Sequence, residues 1–134
     1  YRKIINIYKN KYEKDKIILI PVPVTKYKRK KQGFNHTELL CEAIVKIDHK
    51  KILNYQPKLV RKIKHTKNQH DIEDKKRRLE NLKNVFKINH ILEIKNQDVV
   101  IIDDVTTTGA TILEIKKTLQ KARVKNVSAI TIAH

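Results

Sequence analysis

Residues 99–102 read Val-Val-Ile-Ile, and two acids, Asp103 and Asp104, follow at once. Four β-branched apolar residues in a row suit a strand buried on both faces, because a strand with one wet face carries a polar residue at every second position. Small hydroxyl residues come next, then Gly109, one of only 2 glycines in the chain. From Ala110 to Ala122 the apolar residues Ile112, Ile115, Leu119 and Ala122 recur at helical spacing. Val127 to Ile132 closes with alternating apolar character. Strand, helix, strand in this order forms a βαβ unit, which demands a parallel sheet and a right-handed crossover. The expected class is therefore α/β, a central, mainly parallel sheet flanked by helices.

The upstream sequence supplies further elements. Ile4, Ile5, Tyr8 and Tyr12 predict an amphipathic helix over Tyr1 to Tyr12. Ile17 to Val22 is a continuous apolar run closed by Pro21 and Pro23, which reads as a buried strand meeting a rigid turn. Lys26 to Lys31 carries five cations in six positions and reads as a basic loop. Phe34 to Ile47 predicts a helix that buries Leu39, Leu40, Ala43, Ile44 and Ile47. Ile52 to Ile63 is strand-like, with Leu59, Val60 and Ile63 alternating, and is broken by Pro57. Lys64 to Asn84 holds seven cations and four anions and reads as a loop passing into a short helix near Lys75 to Leu82. Val85 to Ile88 is a short strand.

The 134 residues are one domain's worth of chain, long enough to bury a core. The chain starts at Tyr1 and not at a methionine, so an upstream portion is expected. A formal net charge of +17 attracts polyanions, whether nucleotides, diphosphates or nucleic acid. Asn, Ile and Lys are abundant throughout, so part of the Lys excess reads as compositional drift. A single cysteine, Cys41, excludes an intramolecular disulfide and a thiolate zinc site within this stretch. The six histidines lack metal-ligand spacing. No apolar run is long enough for a membrane span, and a cytoplasmic setting is the expectation.

Chemistry concentrates after the Val99–Ile102 strand. Ligands of open parallel sheets sit beyond the carboxyl ends of the strands. A helix beginning there offers backbone N–H groups and the positive end of its dipole. Thr107, Thr108 and Thr111 add hydroxyls, and Gly109 lets an anion approach the backbone closely. The lysine of a Walker A loop is missing. Carboxylates beside a phosphate cradle would repel the ligand unless they had another task. Two tasks fit Asp103 and Asp104: accepting hydrogen bonds from sugar hydroxyls, or holding Mg²⁺ directly or through water. A ribose phosphate satisfies both halves of the pattern. An isolated Asp-Asp pair would read as a turn cap, with Thr107 or Thr108 at the N-cap of the helix.

The thirteen residues from Val99 to Thr111 resemble the 5-phosphoribosyl 1-diphosphate (PRPP) signature of type I phosphoribosyltransferases: four apolar residues, two acids, two small or apolar residues, then Thr-Thr-Gly-x-Thr. The likeness continues upstream and is greatest to the ComF family. Pro21-Val22-Pro23, then Lys31 and Gly33-Phe34-Asn35, resemble that family's P-V-P…R-G-F-N-Q stretch. Arg61, Thr66, Gln69, Arg78, Asn81 and Phe86 match its spaced pattern further on. Three departures stand out. Gln32 replaces the arginine before Gly-Phe-Asn, His36 replaces the following glutamine, and Ala122-Arg123-Val124 replaces Ala-Gly-Ala, which removes an expected glycine C-cap.

The resemblance implies a type I phosphoribosyltransferase-like fold over residues 1–134, with a Cys-rich zinc module upstream. It implies that Asp103 and Asp104 contact the ribose hydroxyls and serve Mg²⁺. Val105 and Thr106 would lead into a loop in which Thr107, Thr108, Gly109, Ala110 and Thr111 wrap the 5-phosphate. Pro21, Val22 and Pro23 would form the pyrophosphate loop, and Lys64 to Arg78 a loop closing over the site. For displacement of pyrophosphate, Arg29, Lys31, Arg77 and Arg78 are the cations placed to stabilise the leaving group, Lys31 and Arg78 foremost. The implied partners are PRPP or another ribose 5-phosphate ligand, the competence machinery of DNA uptake, and single-stranded DNA; a homodimer is compatible with the sequence. A regulator that keeps the cradle without turnover is the alternative. Direct binding of single strands ranks lower, because aromatic residues are only 5% of the chain and do not interleave with the basic runs.

Overall fold

The computed structural model describes residues 1–7, 16–24, 26–63, 85–105 and 109–133. Its centre is a four-stranded sheet in the order β2-β1-β5-β6, built from β1 (Ile17–Pro21), β2 (Leu53–Tyr55), β5 (Asp98–Val105) and β6 (Asn126–Ala133). All three pairings are parallel, as the βαβ pattern requires. A separate antiparallel pair joins β3 (Val60–Lys62) to β4 (Phe86–Ile88). The helices among the described residues are α1 (Arg2–Ile7), α2 (Lys26–Gln32), α3 (His36–Lys46), α4 (Ile91–Ile94) and α5 (Ala110–Lys121). None of the helices described is long and apolar enough to cross a membrane.

The unbroken apolar runs of β1 and β5 are explained by a layer on each face. Ile18, Ile20, Val99 and Ile101 pack with Ile115 and Leu119 of α5 and with Leu59, Val60, Phe86 and Ile88 around the antiparallel pair. Ile17, Leu19, Val100 and Ile102 pack on the other face with Cys41 of α3, Ile4 of α1 and Leu53 of β2. Successive strand residues point to opposite faces, so each apolar residue of β5 serves one of the two cores. Burying a side chain of this size contributes about 1.5–3 kcal/mol, and the eight residues named from β1 and β5 are all buried.

The stripe expected for the last helix is observed, with Ile115 and Leu119 fully buried, Ala122 buried at its end and Ile112 packed partly against them. Three other expectations need correction. The basic run at Lys26–Lys31 is the helix α2 and not a loop. Gly33, at φ 80°, donates its N–H to the Arg29 carbonyl at 2.8 Å and stops that helix in the left-handed conformation glycine tolerates. The buried face of α3 is rotated from the one expected. Thr37 and Cys41 are buried and Leu40, Ile44 and Val45 pack partly, whereas Leu39, Ala43 and Ile47 face outward. Ile52 to Ile63 divides at Pro57 into β2 and β3, which belong to different sheets, and Ile63 is exposed. The first helix is described over Arg2–Ile7 only. The expected extension to Tyr12 and the charged segment 64–84 lie outside the described residues.

Polar anchors fix the strand starts. Asp48 is buried and accepts from the Leu53 N–H at 2.8 Å and from the Tyr1 hydroxyl at 3.1 Å. Asn126 donates to Asp98 at 2.6 Å across the first register pair of β5 and β6. Cys41 has no exposed surface, and burial, followed by the nearby Glu38 and Glu42 carboxylates, pushes its thiol up to about 12. Burial likewise raises the Tyr55 phenol above its ordinary range, with Cys41 and the same two carboxylates adding to the rise and Arg29 opposing it.

Two outcomes follow. Arg123, where the ComF pattern carries glycine, adopts φ 59°. Its N–H donates to the Gln120 carbonyl and its own carbonyl accepts from Asn96, both at 3.0 Å, so the backbone is held there. Arg123→Gly is expected to stabilise the fold by about 1 kcal/mol, measured by urea denaturation. Because the Cys41 thiol stays protonated well above neutrality, alkylation of the native chain is expected to be negligible and flat between about pH 7 and 9, becoming fast only on unfolding.

Candidate functional site

β1 ends beside Ile102, three residues before β5 ends at Val105. Pro21 is in register with Ile102, and the Val22 N–H extends the ladder by donating to the Ile102 carbonyl at 2.9 Å. From β1 the chain crosses through α2 and α3 to β2 on one side, and from β5 it crosses through α5 to β6 on the other. Adjacent parallel strands whose crossovers depart in opposite directions create a crevice at their carboxyl ends, the usual ligand position of open α/β sheets. Pro21-Val22-Pro23 and Asp103-Asp104 flank this crevice, although more than seventy residues separate them in sequence.

Asp103 is buried, stands in register with Thr131 of β6, and accepts the Asp104 N–H at 3.0 Å through Oδ1. Asp104 is half-buried, and the pleat directs it to the opposite face. Val105 ends the strand. Gly109 precedes α5 as its N-cap residue at φ 68°, ψ 1°, contributing no capping side chain, and its carbonyl accepts from Leu113 at 2.9 Å. Ala110 is buried and Thr111 half-buried in the first turn. The structure thus brings together Pro21, Val22, Pro23, Asp103, Asp104, Val105, Gly109, Ala110 and Thr111 around the ends of the two central strands. Thr106, Thr107, Thr108, Arg77 and Arg78 lie outside the described residues.

Two of the candidate cations are described, both in the last turn of α2. Arg29 donates to both Glu38 oxygens, at 3.2 and 2.9 Å, which joins α2 to α3. With the arginine side chain 56% exposed the pair contributes about 0–1 kcal/mol, but its forked geometry directs the guanidinium toward Glu38. Lys31 is exposed, one residue short of the end of α2. A cation in that turn also complements the negative end of the helix dipole.

The donor set can be tested against Mg²⁺. Among the described residues no group of three or more His, Cys, Asp or Glu side chains comes together to form a protein-only metal cage. Two neighbouring carboxylates suit the other common arrangement, in which Mg²⁺ is held by one or two acids, water and the oxygens of a phosphorylated ligand. Asp103 and Asp104 supply carboxylates of the type such a shared site uses, their side chains leaving β5 on opposite faces.

Sequence reasoning gave no role to two buried polar residues here. Asn35 and Thr37, at the start of α3, are 5% and 4% exposed, and both reach the carbonyl of Val22. Asn35 lies within Gly-Phe-Asn and its N-cap position is readable from its type, but the contact to a turn thirteen residues upstream has no local signal.

Comparison with known proteins agrees with this arrangement. A family model described as "Phosphoribosyl transferase domain" matches residues 51–134. Competence protein F of Haemophilus influenzae is 33% identical over 117 residues, 86% of this chain and 49% of that protein. The DNA utilization protein YhgH of Escherichia coli K12 is 32% identical over 101 residues, 75% of this chain and 42% of that protein. Competence protein ComFC of Bacillus subtilis is 26% identical over 127 residues, 90% of this chain and 46% of that protein. The chain spans about half the length of these curated relatives. Among solved structures, hypoxanthine phosphoribosyltransferase of Trypanosoma cruzi superposes with a TM-score of 0.57 over 97% of this chain and 57% of that one, at 12% identity, a likeness of fold. With its four parallel strands, its flanking helices and the acids closing β5, the chain belongs to the phosphoribosyl transferase domain family and, within it, to the ComF group of competence proteins.

Proposed function

We propose that this chain binds PRPP, or a related ribose 5-phosphate ligand, together with Mg²⁺ at the carboxyl ends of β1 and β5, and transfers the phosphoribosyl group to an acceptor in the service of DNA uptake. The observation that carries the reading is the adjacency of the Pro21–Pro23 turn to Asp103-Asp104, with α5 opening from left-handed Gly109 a few residues later. An anionic ligand alone would be repelled by two carboxylates. A ligand with vicinal hydroxyls at its centre and phosphates at both ends matches acids in the middle and backbone donors on either side.

In this reading the Asp103 and Asp104 carboxylates accept hydrogen bonds from the ribose hydroxyls and fix the sugar ring. The N-terminal turn of α5, from Gly109 to Thr111, holds the 5-phosphate through its dipole and its N–H groups. The Pro21–Pro23 turn receives the diphosphate. Asp103 and Asp104 would hold Mg²⁺, directly or through water, and the ion would supply charge neutralisation for the diphosphate. In the transfer the bond from the anomeric carbon to diphosphate oxygen breaks, the bond to the acceptor's nucleophilic atom forms, and positive charge builds on the ring between the two. Lys31 and Arg78 are the chain's own cations for the departing diphosphate.

A second reading, a PRPP-sensing regulator or nucleic-acid binder without turnover, is favoured by one observation: α2 presents Arg29, Lys30 and Lys31 to solvent in a single turn of a chain with net charge +17. Intact PRPP binding with no diphosphate release in any acceptor screen is the outcome that selects it.

Titration calorimetry with PRPP and Mg²⁺ tests the ligand. Binding on the order of micromolar is expected for the wild-type chain. Asp103→Asn/Asp104→Asn, which keeps side-chain size and removes both charges, is expected to abolish it. A folded wild-type chain that takes up no PRPP contradicts the reading.

A further inference from the structure

A helix N-cap needs one acceptor. At the start of α3 that need is met when Asn35 Oδ1 accepts the Thr37 N–H at 3.2 Å. The local structure contains more than this. Asn35 Nδ2 donates to the Val22 carbonyl at 3.1 Å, and the Thr37 hydroxyl stands 2.9 Å from the same carbonyl and 2.8 Å from Asn35 Oδ1. Its single proton serves either acceptor. Both side chains are buried, while their neighbours Phe34 and His36 are exposed and stack edge-on against each other. Serine or aspartate would cap the helix equally well, so capping alone does not account for a side chain that also donates thirteen residues upstream.

The target of these contacts gives them meaning. Val22 is the central residue of Pro-Val-Pro. Its N–H is committed to Ile102, and its carbonyl is held by Asn35 and Thr37. The proline that follows has no N–H, so the Val22–Pro23 peptide offers an anion only its negative carbonyl end. Turning that oxygen inward against α3 removes a repulsive dipole from the crevice.

We infer that Asn35 and Thr37 are positioning residues for a diphosphate subsite at Pro21–Pro23, acting by holding the Val22 carbonyl away from the anion; this rests on the ribose-phosphate reading above. They touch no ligand. They fix the turn that would receive one, and they connect its orientation to the N-terminus of α3.

The test compares two ligands that differ only in the diphosphate, PRPP and ribose 5-phosphate, each titrated with Mg²⁺ into the 134-residue chain. Asn35→Ser retains a capping oxygen but loses the donor to Val22, and Thr37→Val removes the hydroxyl at nearly constant shape. Each is expected to weaken PRPP binding about tenfold while ribose 5-phosphate binding stays within about twofold. Thr37→Ser, which restores the hydroxyl, is expected to bind PRPP as the wild type does. Unchanged ribose 5-phosphate binding also shows that the variants are folded. Equal weakening of both ligands would reduce the pair to a helix cap, and unchanged PRPP binding would remove the role altogether. A wild type that binds ribose 5-phosphate as well as PRPP would deny the turn any diphosphate subsite. Failure of the wild type with both ligands would instead overturn the ribose-phosphate reading on which this inference stands.

Discussion

β5 lies between β1 and β6 with Val99 and Ile101 directed to one face, Val100 and Ile102 to the other, and none of the four more than 1% exposed. A strand with no wet face needs a covering layer on each side, and here α5 supplies one and α3 the other. Right-handed crossovers that run outward in opposite directions from the β1–β5 pair place their helices on opposite faces of the sheet. The crevice at the ends of those two strands follows from this arrangement without any contribution from the loops. One polar residue at 100 would disturb the core beneath α3 and one at 101 the core beneath α5, and either would reach β1, which lines both.

The acids at the end of β5 are placed where the hydrophobic demand stops. Asp103 remains buried at the sheet end and orders the next peptide by accepting the Asp104 N–H, so the strand leaves the sheet with a defined direction. Across the crevice the Val22 peptide is constrained by β5 through its N–H and by α3 through its carbonyl. Both sides of the candidate site are thus attached to rigid elements, and each takes its orientation from neighbours of the central strand pair. Polar groups inside this region are satisfied by named partners, which is what allows them to be buried.

Much of this was readable from the chain. The βαβ unit, the α5 stripe of Ile115, Leu119 and Ala122, and the break at Pro57 follow from local pattern alone. The features that were not legible depend on distant partners. α2 carries five cations and no apolar stripe, so periodicity could not mark it as helix; Gly33 at its end and the Arg29–Glu38 pair are what define it. The face that α3 buries is not the one hydrophobicity selects, because Leu39 and Ile47 outrank Thr37 and Cys41 on that measure. Thr37 is drawn inward by the Val22 carbonyl, and the helix rotates with it. The signature at Asp103–Thr111 was legible as chemistry, whereas its adjacency to Pro21–Pro23 is a consequence of strand order, which no local pattern encodes.

In the proposed function one ligand engages both strand ends at once. The most direct measurement is backbone amide chemical-shift mapping of the isotope-labelled chain as PRPP and Mg²⁺ are added. The account predicts saturable shifts at Val22 and Val24 beyond β1, at Asp103 to Val105, and at Gly109 to Thr111, with the remote ends of β5 and α5 unmoved. Shifts confined to α2 and its lysines, or no shifts at the ends of β1 and β5, would contradict it.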